Sequence, residues 1–139
     1  MIVIASGYFD PLHAGHVEYL VKAKQLGHEL WVIVNNDEQA KLKKGYSALD
    51  EMSRFMIVSN LKPVDRVILS IDTDGSVCET LKEILKSVPL GECLFAKGGD
   101  RFAVEIPEAK TGITIVDGLG EKIDSSTRIR DVLRDATRK

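Results

Sequence analysis

The chain has 139 residues, of which 44% are hydrophobic and 29% charged, and its formal net charge is −2. This length is enough for a single domain with a real hydrophobic core, and we expect one domain over 1–139. The small negative charge gives no general attraction to nucleic acid or anionic membrane, so any basic binding site must be local and both partners are excluded.

A βαβ unit is predicted at the start of the chain. Residues 1–5 (M-I-V-I-A) and 29–34 (E-L-W-V-I-V) are continuous apolar runs, typical of strands covered on both faces. Apolar residues recur between them at helical spacing, at Val17, Leu20 and Val21. A strand, a helix and a strand within about 35 residues indicate parallel strands with a right-handed crossover.

The middle of the chain continues the alternation of helices and strands. Residues 35–38 (N-N-D-E) can cap a short helix, and residues 41–45 (K-L-K-K-G) are predicted to be a mobile basic segment. A helix over 50–61 follows, which carries Met52, Phe55 and Met56 and ends before Pro63. Residues 67–71 predict a third strand, and the spacing over 81–88 predicts another helix.

Two more strands and a final helix complete the predicted fold. The strands lie at 93–96 and 113–116, and apolar residues Ile129, Val132, Leu133 and Ala136 give the last helix one buried face. The regular alternation predicts an α/β fold: a single doubly wound, Rossmann-like parallel sheet of about five strands with helices on both faces. Such sheets bind ligands beyond the carboxyl ends of their strands, where the strand order reverses.

The stretch from residue 6 to 16 (S-G-Y-F-D-P-L-H-A-G-H) lies where the first strand should run into the first helix. Gly7 allows a sharp turn or a close approach of the backbone to a ligand. His13 and His16 would lie at the helix start, where the dipole and the N–H groups favour an anion. Imidazoles can donate hydrogen bonds to phosphate oxygens, and Gly15 between them leaves room for a bulky ligand. The stretch therefore predicts an anion site.

Two other interpretations of these histidines stay open at this point. Histidines at i and i+3 could ligate a transition metal, although no third ligand is obvious nearby. The pair could also belong to a purely structural helix start. A dinucleotide-binding oxidoreductase is disfavoured, because the first turn lacks the G-x-G-x-x-G pattern.

Three more segments could complete a phosphate site. Residues 97–100 (K-G-G-D) follow the fourth strand, where paired glycines let backbone amides meet a ligand, although a plain turn explains them equally well. Ser125, Ser126 and Thr127 with Arg130 could hold a di- or triphosphate at a helix N-terminus, or merely cap a helix with solvated arginines. Lysine runs such as 43–44 usually form a solvated face, but near a phosphate they neutralise developing charge.

Together these segments resemble the motifs of the HxGH nucleotidylyltransferase superfamily, also called the cytidylyltransferase-like superfamily. Residues 7–16 match its G-x-F-D-x-x-H-x-G-H signature, and residues 125–130 (S-S-T-R-I-R) resemble its late S-[ST]-T-x-[IL]-[RK] motif. Residues 97–100 look most like the adenylyltransferase domain of bacterial heptose-phosphate enzymes. Glycerol-3-phosphate cytidylyltransferases are a looser match, since their R-T-E-G is replaced here by G-E-K-I at 120–123.

This resemblance implies a cytoplasmic nucleotidyltransferase (EC 2.7.7). It would transfer a nucleoside monophosphate, first of all AMP from ATP, to a small phosphorylated acceptor such as a sugar phosphate, with release of pyrophosphate. The alternatives are a cytidylyltransferase that uses CTP and glycerol 3-phosphate, and a non-catalytic nucleotide-binding regulatory module. Mg²⁺ is expected with the NTP, held mainly by phosphates, and the chain is expected to form a homodimer.

The resemblance also implies a role for each candidate residue. The catalytic residues would be His13, His16, Lys44 and Arg130. The nucleotide would be bound by Gly7, Tyr8, Phe9, Asp10, Gly15, Gly98, Gly99, Asp100, Ser125, Ser126 and Thr127. Asp10 could alternatively orient its loop or a metal-bound water. Asp37 and Arg54 would contact the acceptor or support the loops around it.

Overall fold

The fold is seen in a computed structural model that describes residues 1–98, 106–117 and 119. Its strands are β1 (Ile2–Gly7), β2 (Glu29–Val34), β3 (Arg66–Leu69), β4 (Cys93–Ala96) and β5 (Thr114–Val116). Its α-helices are α1 (Ala14–Lys24), α2 (Asp37–Lys44), α3 (Glu51–Ser59) and α4 (Cys78–Leu85). Short 3₁₀ turns lie at Leu90–Glu92 and Pro107–Thr111.

The five strands form one parallel sheet in the order β3-β2-β1-β4-β5. The chain moves outward from β1 to β3 and then crosses to the other side of β1, so the strand order reverses between β1 and β4. The predicted doubly wound parallel sheet is confirmed. A ligand crevice is therefore expected where the carboxyl ends of β1 and β4 diverge.

Helices cover both faces of the sheet, as predicted. On one face, Val3 and Ala5 of β1 pack in a cluster with Leu20 of α1 and Val58 of α3. The other face buries Ile4 with residues of α4 and its neighbourhood, among them Leu81, Ile84, Val88 and Ile106. Successive residues of a strand point to opposite faces, so continuous apolar runs supply both clusters.

The predicted bounds hold for β2 and β4, whereas β3 is shorter than expected. It ends at Leu69, and Ile71, which was predicted to lie in the strand, is 60% exposed. The Ile71 N–H donates to Thr80 Oγ1 at 3.0 Å, so the backbone has already left the ladder at that residue. Hydrophobicity alone placed Ile71 in the strand, but this side-chain hydrogen bond offers the backbone another partner.

One prediction about the middle of the chain is wrong and another is confirmed. Residues 41–44 are not a mobile segment but the last turn of α2, which ends at Gly45 in the left-handed conformation (φ 83°). Lysines at that end of a helix interact favourably with its dipole. On α3, Met52 and Met56 are 60% and 67% exposed, while Arg54 is fully buried. The helix predicted over 50–61 is confirmed as α3, and its two methionines lie on the solvent side.

The predicted final helix, with Ile129, Val132, Leu133 and Ala136, falls on residues outside those that the structure describes. Within the part of the chain that the structure describes, no helix combines the length and apolar character needed to cross a membrane.

Candidate active site

The two histidines of the first motif cap α1 with their own rings. His13 is the N-cap, and its Nδ1 accepts the Gly15 N–H at 3.1 Å. His16 Nδ1 accepts the N–H of His13, also at 3.1 Å. This is a capping box made with imidazoles instead of the usual hydroxyl and carboxylate. A neutral imidazole that accepts at Nδ1 carries its proton at Nε2, so each ring keeps one N–H donor for a ligand.

The two imidazoles lie against each other and form a double donor. Their centroids are 3.8 Å apart, with 29° between the ring planes. The backbone N–H groups of this turn are used within the chain, since those of His16 and Val17 donate to the His13 carbonyl. We expected the helix amides themselves to favour an anion. In the structure the amides of His16 and Val17 are bonded within the chain, so the imidazole Nε2–H groups are the candidate donors for an anion.

His16 is held in its neutral form by its surroundings. Burial is the largest cause, followed by electrostatic repulsion from His13 and Lys43, and together they lower the pKa of His16 from 6.5 to about 4. Near neutral pH the ring is therefore uncharged, with Nδ1 as acceptor and Nε2 as donor. Protonation would place a hydrogen on Nδ1 and break the bond from the His13 N–H.

This geometry predicts a pH dependence of stability. The unfolded chain takes up a proton on His16 below pH 6.5, whereas the folded protein does so only near pH 4. The free energy of unfolding should therefore fall as the pH falls from about 6.5 to 4, and be insensitive to His16 above that window. Urea unfolding of the wild type and His16→Asn at pH 7, 6 and 5 checks this. We expect a smaller fall in the variant, and equal falls would show that His16 does not titrate as described.

Phe9 and Gly7 fix the position of His16. Phe9 adopts a left-handed backbone conformation (φ 50°), and its ring is 1% exposed. That ring meets His16 edge-on, with the centroids 5.2 Å apart. A Cβ on Gly7 would lie 2.6 Å from Phe9 Cζ, so only glycine leaves space for the ring. Gly7 and Phe9 were predicted to offer backbone amides to phosphate, and the structure gives them a packing role beside the histidine.

The absence of a side chain at Gly15 leaves space for the His13 ring. From the sequence, we expected this space to accommodate a ligand. A Cβ on Gly15 would lie 2.9 Å from His13 Cε1 and 3.1 Å from its Nδ1. Contacts this short force the ring to move.

Gly15→Ala is therefore expected to lower turnover by at least ~10-fold, because a misplacement of a catalytic donor by about 1 Å is costly. The free energy of unfolding should change little, because the higher helix propensity of alanine offsets the loss of the capping bond to His13. Steady-state kinetics and thermal unfolding of the same sample separate the two effects. Gly91→Ala is the matched control, because a Cβ there meets nothing within 4 Å. Equal activity of both variants would contradict the packing described for His13.

Asp10 ties the loop after β1 to the loop after α2. Its carboxylate is fully buried and accepts the N–H groups of Leu49 at 2.6 Å and Ala48 at 2.9 Å. Lys44 Nζ donates to the Asp10 carboxylate at 3.0 Å and to its carbonyl at 2.8 Å. Burial alone would raise the pKa of Asp10, but these hydrogen bonds outweigh it and hold the pKa below its ordinary value. Of the three roles considered for Asp10 (binding the nucleotide, orienting its loop and orienting a metal-bound water), its contacts are those of the second.

The Lys44 side chain is held at the site by an ion pair. Its side chain is 29% exposed and is ion-paired with Asp10. The ammonium therefore lies next to the histidine loop and keeps part of its surface open. To contact a phosphate it has only to exchange one anionic partner for another.

Arg54 is buried among the loops around the site. Its residue is 0% exposed, and its guanidinium donates to the carbonyls of Leu49 (2.9 Å), Tyr8 (3.0 Å) and Asn35. It also donates to Asp37 Oδ1 at 2.9 Å. One side chain thus joins the ends of β1 and β2 to the loop after α2. These contacts are those of loop support, the second of the two roles considered for Arg54.

Two further supporting residues were not anticipated. Tyr19 of α1 is buried with its hydroxyl donating to the Ala96 carbonyl, and a Cβ on Gly98 would lie 3.3 Å from its ring. Gln39 of α2 is fully buried, and its amide donates to the carbonyls of Asp74 (2.7 Å) and Ser76 (2.8 Å). The N-x-x-Q spacing from Asn36 to Gln39 is a capping-box signal that could have revealed the second residue.

The structure brings together most of the candidates from the first half of the chain. Gly7, Phe9, Asp10, His13, Gly15, His16 and Lys44 share one connected cluster, and Asp37 joins it through Arg54. Gly98 lies on the other side of β1, against Tyr19. The remaining candidates lie outside the described residues: Gly99, Asp100, Ser125, Ser126, Thr127 and Arg130.

The described residues do not supply a metal cage. Among them, no three His, Cys, Asp or Glu side chains cluster closely enough to ligate a metal ion. The Asp10 carboxylate near the histidines already accepts three hydrogen-bond donors. A divalent ion entering this part of the site would therefore take most of its ligands from phosphate and water.

Comparisons with known proteins place the chain among relatives with similar sequences. A family model described as cytidylyltransferase-like matches residues 4–132. A protein named FAD synthase from Thermoplasma volcanium is 34% identical over 133 residues, covering 92% of this chain and 90% of the relative. Another FAD synthase, from Thermoplasma acidophilum, is 42% identical over 86 residues, covering 62% of this chain and 59% of the relative. The bifunctional protein HldE from Geobacter metallireducens is 34% identical over 129 residues, covering 91% of this chain and 24% of the relative.

A solved structure shares the fold. The crystal structure of the lipopolysaccharide core biosynthesis protein from Thermoplasma volcanium superposes with a TM-score of 0.64 and 35% sequence identity. The match covers 84% of this chain and 93% of that chain. The parallel sheet with its flanking helices therefore recurs in an experimentally determined relative.

Proposed function

The chain belongs to the cytidylyltransferase-like family of nucleotidyltransferases, and from this premise we propose that it transfers AMP from ATP to FMN, forming FAD. An oxygen of the FMN phosphate attacks the α-phosphorus of ATP. The bond from that phosphorus to the oxygen bridging to the β-phosphate breaks, and pyrophosphate leaves with the electron pair. The observation that carries the proposal is the pair of imidazoles whose Nε2–H groups are left for a phosphate.

Sequence similarity to one relative, over nearly the whole length of that relative, supports FMN as the acceptor. The Thermoplasma volcanium protein named FAD synthase aligns over 90% of its length. FAD consists of AMP joined to FMN, so an enzyme of that name adenylylates FMN. Because the Thermoplasma acidophilum relative is matched over only 59% of its length, the activity and substrates of this chain stand as a proposal.

In the proposed mechanism, His13 and His16 stabilise charge on the transferring phosphoryl group. Both rings are fixed by capping bonds, so their Nε2–H donors need little reorganisation as the transition state forms. No protein nucleophile is required, because the acceptor phosphate itself attacks. Lys44 would leave Asp10 and neutralise the α-phosphate and the acceptor phosphate. Asp10 would keep both loops in register while this happens.

The nucleotide would occupy the crevice between β1 and β4. Gly98 at the end of β4 and the Tyr19 ring beneath it form one wall. Gly99 and Asp100 are proposed to border the base and ribose, and Ser125, Ser126, Thr127 and Arg130 to hold the leaving pyrophosphate. Mg²⁺ is proposed to enter with the triphosphate, where it supplies charge neutralisation, and to be held mainly by phosphate oxygens and water. A homodimer in the cytoplasm remains the expectation for the working form.

A pyrophosphate-release matrix tests the proposal. Each of the four NTPs is mixed, with magnesium, with FMN, a heptose phosphate and glycerol 3-phosphate, and the products are identified by mass. We expect ATP with FMN to give FAD and the highest kcat/KM. Tight nucleotide binding without turnover for any pair would instead favour the non-catalytic module.

A sugar phosphate is the second candidate acceptor. It is favoured by the match to HldE over 91% of this chain and by the solved relative named for lipopolysaccharide core biosynthesis. If ATP with the heptose phosphate outperforms ATP with FMN in the matrix, this acceptor replaces FMN. A preference for CTP with glycerol 3-phosphate would replace both.

A further inference from the structure

Two tyrosine rings lie beside the lysines at the end of α2, and the mechanism above uses neither ring. Lys43 Nζ is 4.4 Å from the ring centroid of Tyr8, and Lys44 Nζ is 5.8 Å from that of Tyr46. Tyr46 is 61% exposed. An open aromatic face beside an ammonium group suits a ligand that carries both a planar ring and a phosphate.

The segment that follows Tyr46 is rigidly held. The N–H groups of Ala48 and Leu49 donate to the buried Asp10 carboxylate, and Ser47 Oγ donates to Asp37 Oδ1 at 3.1 Å. The ring therefore stands on a backbone that is anchored within two residues. A ligand that stacks on it needs to order little of the protein, which favours binding.

Tyr46 lies on the acceptor side of the crevice. It follows α2 and hence β2, whereas Gly98, at the proposed nucleotide wall, follows β4. β2 and β4 flank β1 on opposite sides. The histidines at the end of β1 stand between the two, so a ring on Tyr46 and a base at Gly98 would approach them from opposite directions.

We propose that Tyr46 is a stacking platform for the isoalloxazine ring of the acceptor, with Tyr8 and the two lysines beside it, and that it selects planar aromatic phosphates over sugar phosphates. This inference rests on the proposed function. The ribityl arm between ring and phosphate of FMN spans up to about 9 Å at ordinary bond lengths. That reach lets the ring contact Tyr46 while the phosphate lies at Lys44, 5.8 Å from the Tyr46 centroid. A sugar phosphate has no aromatic face to offer this ring.

The test uses Tyr46→Ala, Tyr46→Phe and, as control, Met56→Ala, which removes another exposed side chain (67%) on α3. We expect Tyr46→Ala to raise the KM for FMN by about 10-fold or more, the scale seen when a stacking aromatic is truncated. The KM for ATP and the kcat at saturating FMN should stay near wild type. Tyr46→Phe and Met56→Ala should both resemble wild type. Titration of FMN fluorescence without ATP should show the same loss of affinity in Tyr46→Ala, independently of turnover.

Each contrary result has its own meaning. An unchanged KM and an unchanged FMN affinity in Tyr46→Ala would overturn the stacking role while leaving FAD formation intact. A raised KM for ATP in place of FMN would overturn it as well, since Tyr46 would then face the nucleotide. Absence of FAD with wild-type protein would overturn the proposed function itself.

Discussion

His16→Ala is expected to lower turnover by at least ~100-fold, the usual scale for losing one transition-state donor. The Nε2–H of this ring is available because Nδ1 accepts the His13 N–H, and because burial keeps the ring neutral with a pKa of about 4. The variant also removes the support that His16 gives to the stacked His13 ring. Single-turnover kinetics with saturating substrates measure the chemical step directly.

The control for this variant is His28→Ala, an exposed histidine whose Nδ1 contacts the amino group of Met1 at 3.0 Å, far along the chain from the capping turn. It should turn over as the wild type does. His13→Ala should resemble His16→Ala. If both of those variants turned over normally, the assignment of the active site to this motif would be wrong.

Arg54→Ala is expected to cost about 3 kcal/mol of stability, the scale for removing one partner of a buried ionic network. It would leave the carbonyls of Tyr8, Asn35 and Leu49 without their donor, and Asp37 without its cation. Arg54→Lys should also be strongly destabilised, because one ammonium cannot reproduce the planar fork. Urea unfolding at pH 7 measures both.

The matched control for Arg54 is Lys86→Ala, which breaks an ion pair whose two side chains are 72% and 61% exposed. Exposed pairs contribute little, so we expect no measurable change. Should Arg54→Ala unfold at the urea concentration of the wild type, its hydrogen bonds would not be holding the loops. Should Arg54→Ala not fold at all, Arg54→Lys still gives the measurement.

Strands were predictable because apolar runs are a direct consequence of burial on both faces. β4 coincides with its run of hydrophobic residues, and β2 consists of Glu29 followed by five hydrophobic residues. Arg54 was not predictable as a core residue, since a charged side chain is buried only when specific carbonyls and a carboxylate surround it. Those acceptors come from three segments separated in sequence, at residues 8, 35–37 and 49.

The motif revealed which residues form the site but not how they are arranged. The histidine spacing predicted an anion site at a helix start, and both rings lie there. In the structure, Nδ1 of each ring accepts a backbone N–H, and the absence of a side chain at Gly15 leaves space for the His13 ring. Both features depend on side-chain directions, which the spacing of residues in the sequence does not encode. Asp10 likewise showed its role only through the fold, because its partners Ala48 and Leu49 are far along the chain.

We claim that the paired imidazoles promote transfer of AMP to a phosphorylated acceptor, and a label-transfer assay tests this claim. ATP labelled at the α-phosphorus is mixed with FMN, magnesium and either wild-type protein or His16→Ala. We expect the wild type to place the label in FAD and to release unlabelled pyrophosphate, and the variant to do so at least ~100-fold more slowly. Label that stays in ATP, or appears in free AMP without any acceptor adduct, would contradict the claim.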